Sequence, residues 1–195
     1  IVLLQETWLD ESVVSVDVPG YVTISRRDRS ATANRGGVLT LQREDFNGLV
    51  HIRNCEEEER SWHFLRLGEE TILLANWYRS GASTHDGFRK LHQEIDEFYH
   101  EISGVLIAGD LHVHHKKWLR HSNANTQIGV DLKSVCDYYG MFQIVREPTR
   151  KDYLLDLVLT DLQNVSASIT PSIADHKGVL FKLPFGRSSG DSCRM

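Results

Sequence analysis

Val105-Leu106-Ile107-Ala108-Gly109-Asp110-Leu111-His112 decides the fold. Four apolar residues in a row suit a strand buried on both faces, the pattern of a central strand in a packed sheet. Gly109 and Asp110 then bring the chain out into a loop and leave a carboxylate at the strand's end. Residues 71–77, with Ile72-Leu73-Leu74-Ala75, read the same way. Shorter β-type runs fall at residues 1–4, 21–25, 37–41, 49–52, 63–67, 154–160, 165–169 and 179–182. Only two segments carry helical spacing. In residues 84–102, Phe88, Leu91, Ile95, Phe98 and Ile102 recur every three or four positions, with Thr84 as the cap. In residues 129–139, Leu132, Val135 and Tyr139 repeat, and Gly140 can end the helix in a left-handed conformation. Many strands, few helices and a late β-α-β order imply an α+β chain of two face-to-face sheets with helices outside.

The chain has 195 residues, of which 41% are hydrophobic and 25% charged, so it is neither disordered nor fibrous and can bury one large core. No apolar run approaches the ~18–20 residues of a membrane span, and no secretory signal is visible. The three cysteines, Cys55, Cys136 and Cys193, are too scattered for a metal knuckle or a disulfide framework, which points to a reducing compartment. A net charge of −5 argues against a passive nucleic-acid coat, but not against an enzyme that touches DNA at one face. Acid gathers at residues 56–59, read as a solvated loop or strand end. Base gathers at Arg26, Arg27 and Arg29 and at Lys116, Lys117 and Arg120. Ile1 opens directly on an apolar run, which reads as a fragment; residues 184–195 read as a polar, disordered tail.

Five stretches put a polar residue where a strand meets a loop: Gln5-Glu6-Thr7, Asn76-Trp77-Tyr78, Gly109-Asp110-Leu111-His112, Asp156 and Asp175-His176. Each has a plain alternative. Glu6 and His176 suit a surface, Asp110 and Asp175 a turn, Tyr78 a core, Asp156 an outward-facing strand position. Asp156, between Leu155 and Leu157, is the most informative, because a carboxylate in an apolar strand costs several kcal/mol unless paired or metal-bound. Taken together, carboxylates with one His and no Cys suit a hard cation on oxygen ligands. Such a site serves phosphate-ester cleavage: the metal neutralises charge, a carboxylate takes a proton from water, and a cation or His meets the transition state.

Leu4-Gln5-Glu6-Thr7, Arg35-Gly36-Gly37-Val38, Asn76-Trp77-Tyr78, Gly109-Asp110-Leu111-His112, Glu147-Pro148-Thr149-Arg150, Leu155-Asp156-Leu157-Val158 and Asp175-His176 form an ordered set. In order and spacing it resembles the endonuclease/exonuclease/phosphatase superfamily. Within that superfamily it looks like the apurinic/apyrimidinic-type endonuclease domain of non-LTR retrotransposons, over residues 1–183. The resemblance implies a DNase I-like, four-layer αββα sandwich of two mixed sheets. It implies Glu6 as the metal ligand, with Asp175 near the metal, and Asp110 as the base that activates water. Tyr78 and His176 would meet the phosphate, and Asp156 would orient His176. Thr149 and Arg150 fall in the segment that borders DNA in relatives, and Lys116, Lys117 and Trp118 form a DNA-facing loop, with Trp118 either anchoring it or facing a base. Mg²⁺, with Mn²⁺ as a substitute, is the implied cofactor. The implied partners are DNA and the reverse transcriptase domain of a parent polyprotein, for a monomeric domain acting in the nucleus without a membrane.

Two departures accompany the resemblance. The family's earlier strand, which carries an asparagine beside the metal glutamate, has no counterpart in residues 1–195, and His112 stands where the family has Asn. Both favour a rival reading, an inactive fragment with at most weak DNA binding. A second rival is a small-molecule phosphodiesterase or phosphatase of the same superfamily. A third, a zinc hydrolase, rests on His112, His114, His115 and His121.

Overall fold

The computed structural model describes residues 1–29, 36–80 and 86–184. Its strands are β1 (Val2–Gln5), β2 (Tyr21–Arg27), β3 (Val38–Arg43), β4 (Leu49–Asn54), β5 (Glu59–Leu67), β6 (Glu70–Tyr78), β7 (Gly104–Asp110), β8 (Phe142–Gln143), β9 (Asp156–Thr160), β10 (Ser166–Ser172) and β11 (Lys177–Lys182). The helices are α1 (Asp86–Phe98) and α2 (Gln127–Tyr138). Thr84 and residues 185–195 lie outside the described residues, as do Arg35 and Cys193.

Every residue of β7 is buried, as a wholly apolar run demands. It pairs in parallel with β6 and antiparallel with β9, at the centre of a mixed sheet ordered β4-β5-β6-β7-β9-β8. Two smaller sheets, β1-β3-β2 and β10-β11, complete the strands. Asn76 ties the three-stranded sheet to the large one. Its amide nitrogen donates to Leu39 O at 3.1 Å and Leu4 O at 3.3 Å, and its oxygen accepts from Gln5 at 2.6 Å. Alternation sends the next residue, Trp77, to the opposite face, where it meets Phe88 of α1 edge-on. Tyr139, beside α2, donates to Asp96 of α1 at 2.7 Å, so both helices share that outer face. The two-sheet sandwich is as the sequence implies. Among the described residues, however, no helix covers the outer face of the smaller sheets, so three of the four expected layers are present.

All ten expected strands form. The sequence reading started β5 at residue 63 and took residues 56–59 as a solvated loop or strand end; Glu56 and Glu57 are exposed as expected, and the start of β5 and the solvation of Glu58 and Glu59 are corrected. Glu58 and Glu59 are buried, and β5 begins at Glu59. Burial is possible because the charges are matched inside. Arg60 pairs with Glu94 of α1 at 2.5 Å, lies 4.4 Å from the Trp77 ring centroid, and shares Glu94 with the indole N–H of Trp62 at 2.7 Å. At α2, Thr126 is the cap, accepting from Gly129 N at 3.1 Å, and Gly140 takes the expected left-handed φ of 66°.

Candidate active site

Three strand ends and two strand starts meet at one place. β7 delivers Asp110 and β9 delivers Asp156, directly opposite each other in the ladder. His176 immediately precedes β11, Tyr78 ends β6, and Glu6 follows β1. Sheet pairing, rather than loop packing, therefore fixes the first two carboxylates. Gly109 sharpens this. Its φ is 151°, and a Cβ there would lie 1.8 Å from Trp77 O, so only glycine lets β6 and β7 close around Asp110.

His176 Nδ1 bonds Asp156 Oδ2 at 2.7 Å, which turns Nε2 towards Asp110 Oδ2, 4.0 Å away. With Asp156 ionised, Nδ1 carries the donated proton. Thr149 holds Asp156 from behind: its hydroxyl accepts from the backbone N–H groups of Leu155 and Asp156, both at 3.1 Å. Tyr78 donates its hydroxyl to Glu6, and Arg29, gripped by Glu59, lies 5.6 Å from the Tyr78 ring centroid. His112 Nδ1 is 2.8 Å from Asp110 Oδ1. No other hydrogen-bond partner meets either of these buried atoms.

Burial raises the Asp110 pKa, and nearby Asp156 adds to the rise, while His112 and His176 oppose it. A carboxylate raised in this way is a stronger base near neutrality. Burial and the bond to Glu6 push Tyr78 up as well, so it stays a protonated donor. The His176 pKa is raised by its hydrogen bond to Asp156 and by the surrounding carboxylate charges, against the opposing effect of burial. A raised folded-state value means the charged pair stabilises the fold fully below the ordinary value of 6.5, and that stabilisation fades as pH climbs through the raised value. Asp156→Asn removes the cause. The His176 ring resonance, followed by NMR titration, should then move its midpoint down towards 6.5. The part of the melting-temperature fall seen above neutral pH that comes from this pair should disappear. An unmoved midpoint would show that Asp156 does not set the charge of His176.

Asp110, Asp156 and His176 each offer a ligand atom, all within 4.8 Å of one another. The two carboxylates, with Asp110 Oδ1 met only by His112, fit a divalent cation that takes oxygen ligands. Glu6 stands apart from this trio, joined to the site through Tyr78, whose ring meets His112 edge-on. Asp175 stands apart too, its exposed carboxylate paired with Arg150 at 2.6 Å. The expected substrate-side residues divide. Lys116 is exposed and Arg150 partly so. Thr149 is 1% exposed, so it is corrected to a residue that positions Asp156 rather than one that touches substrate. Trp118 packs partly buried against the core, which anchors its loop. Of the histidines in residues 112–121, His114 meets Tyr153 edge-on and His115 accepts from Lys117 N at 3.2 Å, and neither joins the trio.

A family model described as endonuclease-reverse transcriptase matches residues 72–180, more than half of the chain. The chain belongs to that family. This match spans β6 to β11 and so contains Tyr78, Asp110, Asp156 and His176. Among solved structures, the endonuclease domain of TRAS1, a telomere-specific non-LTR retrotransposon, superposes with a TM-score of 0.66 at 12% identity, covering 87% of this chain and 83% of that one. The AP endonuclease of Leishmania major gives 0.73 at 15% identity, over 92% and 76% of the two chains. The catalytic domain of Xenopus laevis APE2 gives 0.67 at 14%, over 91% and 81%. At such identities the likeness is one of fold alone, the two-sheet sandwich these structures share. A search of curated proteins finds no match.

The expected place of His112 beside Asp110 is met, and sequence reasoning missed one contact at the site: Arg29 held by Glu59 against Tyr78, which joins three segments distant in the chain and leaves no local signal.

Proposed function

We propose that the chain is a metal-dependent DNA endonuclease that nicks target DNA by phosphodiester hydrolysis. The observation that carries this is the run Asp156–His176–Asp110, a carboxylate that orients an imidazole facing a buried, base-strengthened carboxylate. Asp110 takes a proton from water, and the water oxygen attacks phosphorus as the leaving oxygen departs. His176, charged through Asp156, donates from Nε2 to a phosphate oxygen, and the Tyr78 hydroxyl offers a second donor. A divalent cation, Mg²⁺ or in its place Mn²⁺, would be held by Glu6 and the carboxylates of the trio, with Asp175 nearby; it would neutralise phosphate charge. Lys116 and Arg150 would meet the DNA backbone. The family points to a reverse transcriptase domain in the same polyprotein and, through a chromosomal substrate, to the nucleus. No described helix is long and apolar enough to cross a membrane.

Supercoiled plasmid incubated with Mg²⁺, Mn²⁺ or Zn²⁺ tests the reading. Nicking should need Mg²⁺ or Mn²⁺ and stop with chelator. Nicking that survives chelation, or that runs with Zn²⁺ alone, would refute the hard-metal chemistry.

One observation favours a weakened enzyme. The His112 imidazole crowds the Asp110 oxygen that would receive the water proton. Misplacements of ~1 Å can cost ~100-fold. His112→Asn, a smaller amide that tolerates the left-handed φ of 46° found here, should raise the nicking rate at least ~10-fold, about 1.4 kcal/mol of barrier. Equal rates across neutral pH would show that the imidazole is harmless.

A further inference from the structure

The two helices end side by side. Tyr99, the residue after α1, meets Tyr139, the residue after α2, with ring centroids 5.9 Å apart. An aromatic patch surrounds that contact. Tyr138 stands edge-on to His92 at 5.2 Å and to Tyr139 at 4.9 Å, and Tyr99 stands edge-on to His100 at 6.0 Å. The core reaches Tyr139, which is buried, and stops there: Tyr138 is 71% exposed and Tyr99 49%. Clustered tyrosine rings left open to solvent mark a contact surface.

The charge around the rings has one sign. Residues 91–104 include Glu94, Asp96, Glu97 and Glu101 but no Lys or Arg. Glu94 is matched by Arg60, Glu97 by Arg53 and nearby Asp137 by Lys133. Asp96 and Glu101 are exposed and lack a Lys or Arg partner among the described residues. Asp96 accepts the Tyr139 hydroxyl at 2.7 Å, which holds its carboxylate at the patch. Both helices also end here without a basic residue in the last turn. The negative ends of their dipoles therefore have no cation from their own helix.

We propose that this patch is a docking surface for a basic polypeptide segment whose arginines lie on the exposed tyrosine rings. Arginine answers both halves of the surface at once. Its planar guanidinium stacks on an aromatic face, while its charge meets Asp96, Glu101 and the two helix ends. Other occupants fail on the same observations. DNA and anionic lipid carry the wrong charge. A metal ion needs converging ligands, and among the described residues the group of His and carboxylates close enough for that is the trio Asp110, Asp156 and His176. An apolar helix would desolvate Asp96 and Glu101 and give them no partner.

The patch and the candidate active site lie at opposite ends of the large sheet. Ser103 N bonds Thr71 O at the start of β6, and β7 then runs from Gly104 to Asp110. At about 3.3 Å per residue, the seven residues of β7 put roughly 20 Å between the patch and Asp110. A partner seated there leaves the strand ends around Asp110 open. The inference therefore stands whether or not the chain cuts DNA, and its test does not read nicking.

The full chain would be titrated with the peptide Gly-Arg-Gly-Arg-Gly-Arg-Gly, with calorimetry and amide NMR shifts as readouts. Binding should saturate, and shifts should fall on residues 92–101 and 134–140. The same peptide with lysine for each arginine should bind at least ~3-fold more weakly, because an ammonium has no plane to stack. Tyr138→Ala and Asp96→Asn should each weaken binding of the arginine peptide by ~3-fold or more. Both variants should fold, since the Tyr138 ring is mostly exposed and Asn keeps an acceptor for the Tyr139 hydroxyl. Glu44→Gln removes an exposed charge just after β3 and should change nothing. Equal affinity for the two peptides, a loss with Glu44→Gln as large as with Asp96→Asn, or shifts confined to other residues would show attraction to net charge alone and overturn the inference. A dimer in sedimentation that Tyr138→Ala dissolves would overturn it too, by assigning the patch to a second copy of the chain.

Discussion

Asp110→Ala should lower plasmid nicking by ~100-fold or more, at least ~2.7 kcal/mol of barrier, while the fold holds or gains stability. Asp110 is 3% exposed, its pKa is raised by burial, and one of its oxygens meets only His112. A carboxylate in that state is costly to the folded chain, so its removal relieves the fold as it removes the base. Activity falling while the melting temperature stays level or rises is the signature of a functional group. His176→Ala should lower nicking similarly, and the double variant should be little worse than either single one, because residues that act as a unit do not add. Near-normal nicking by Asp110→Ala at fixed metal would assign the base elsewhere.

The legible parts of this molecule were the ones with local signals. Residues 105–110 announced a buried strand with a carboxylate at its end because one short run carries both features. Asp156 stood out for the same reason, and the bond to His176 supplies the partner that an apolar setting demands. What stayed hidden was long-range charge matching. Glu58 and Glu59 read as surface, since nothing nearby in sequence reveals Arg29 or the Trp77 indole as their partners. Thr149 looked like a substrate contact, but burial turned its hydroxyl to two backbone donors. The resemblance implied which residues meet, including His112 beside Asp110, while the grip of Glu59 on Arg29 beside Tyr78 came only from geometry.

Gly109→Ala should be the most damaging small substitution in the chain. Two costs combine. A φ of 151° is open to glycine and strained for any residue with a Cβ, by about 1–3 kcal/mol. The Cβ would also sit 1.8 Å from Trp77 O, a backbone atom of the neighbouring strand that cannot swing aside as a side chain could. Relief requires β6 and β7 to part at the centre of the large sheet, where Asn76 pairs with Ala108. A loss of about 4 kcal/mol or more is expected, a large share of the ~5–15 kcal/mol that holds a domain together. Gly68→Ala is the control. Gly68 also has a positive φ, 64°, but nothing lies within 4 Å of its Cβ position, so about 1–2 kcal/mol should be lost there. Urea unfolding of the two variants separates dihedral strain from collision. If they lose equal stability, the contact with Trp77 O is not what fixes Gly109, and the β6–β7 junction is not what holds Asp110 in place. If Gly109→Ala folds at reduced stability, its nicking should fall as well, since any parting of the two strands carries Asp110 away from His176.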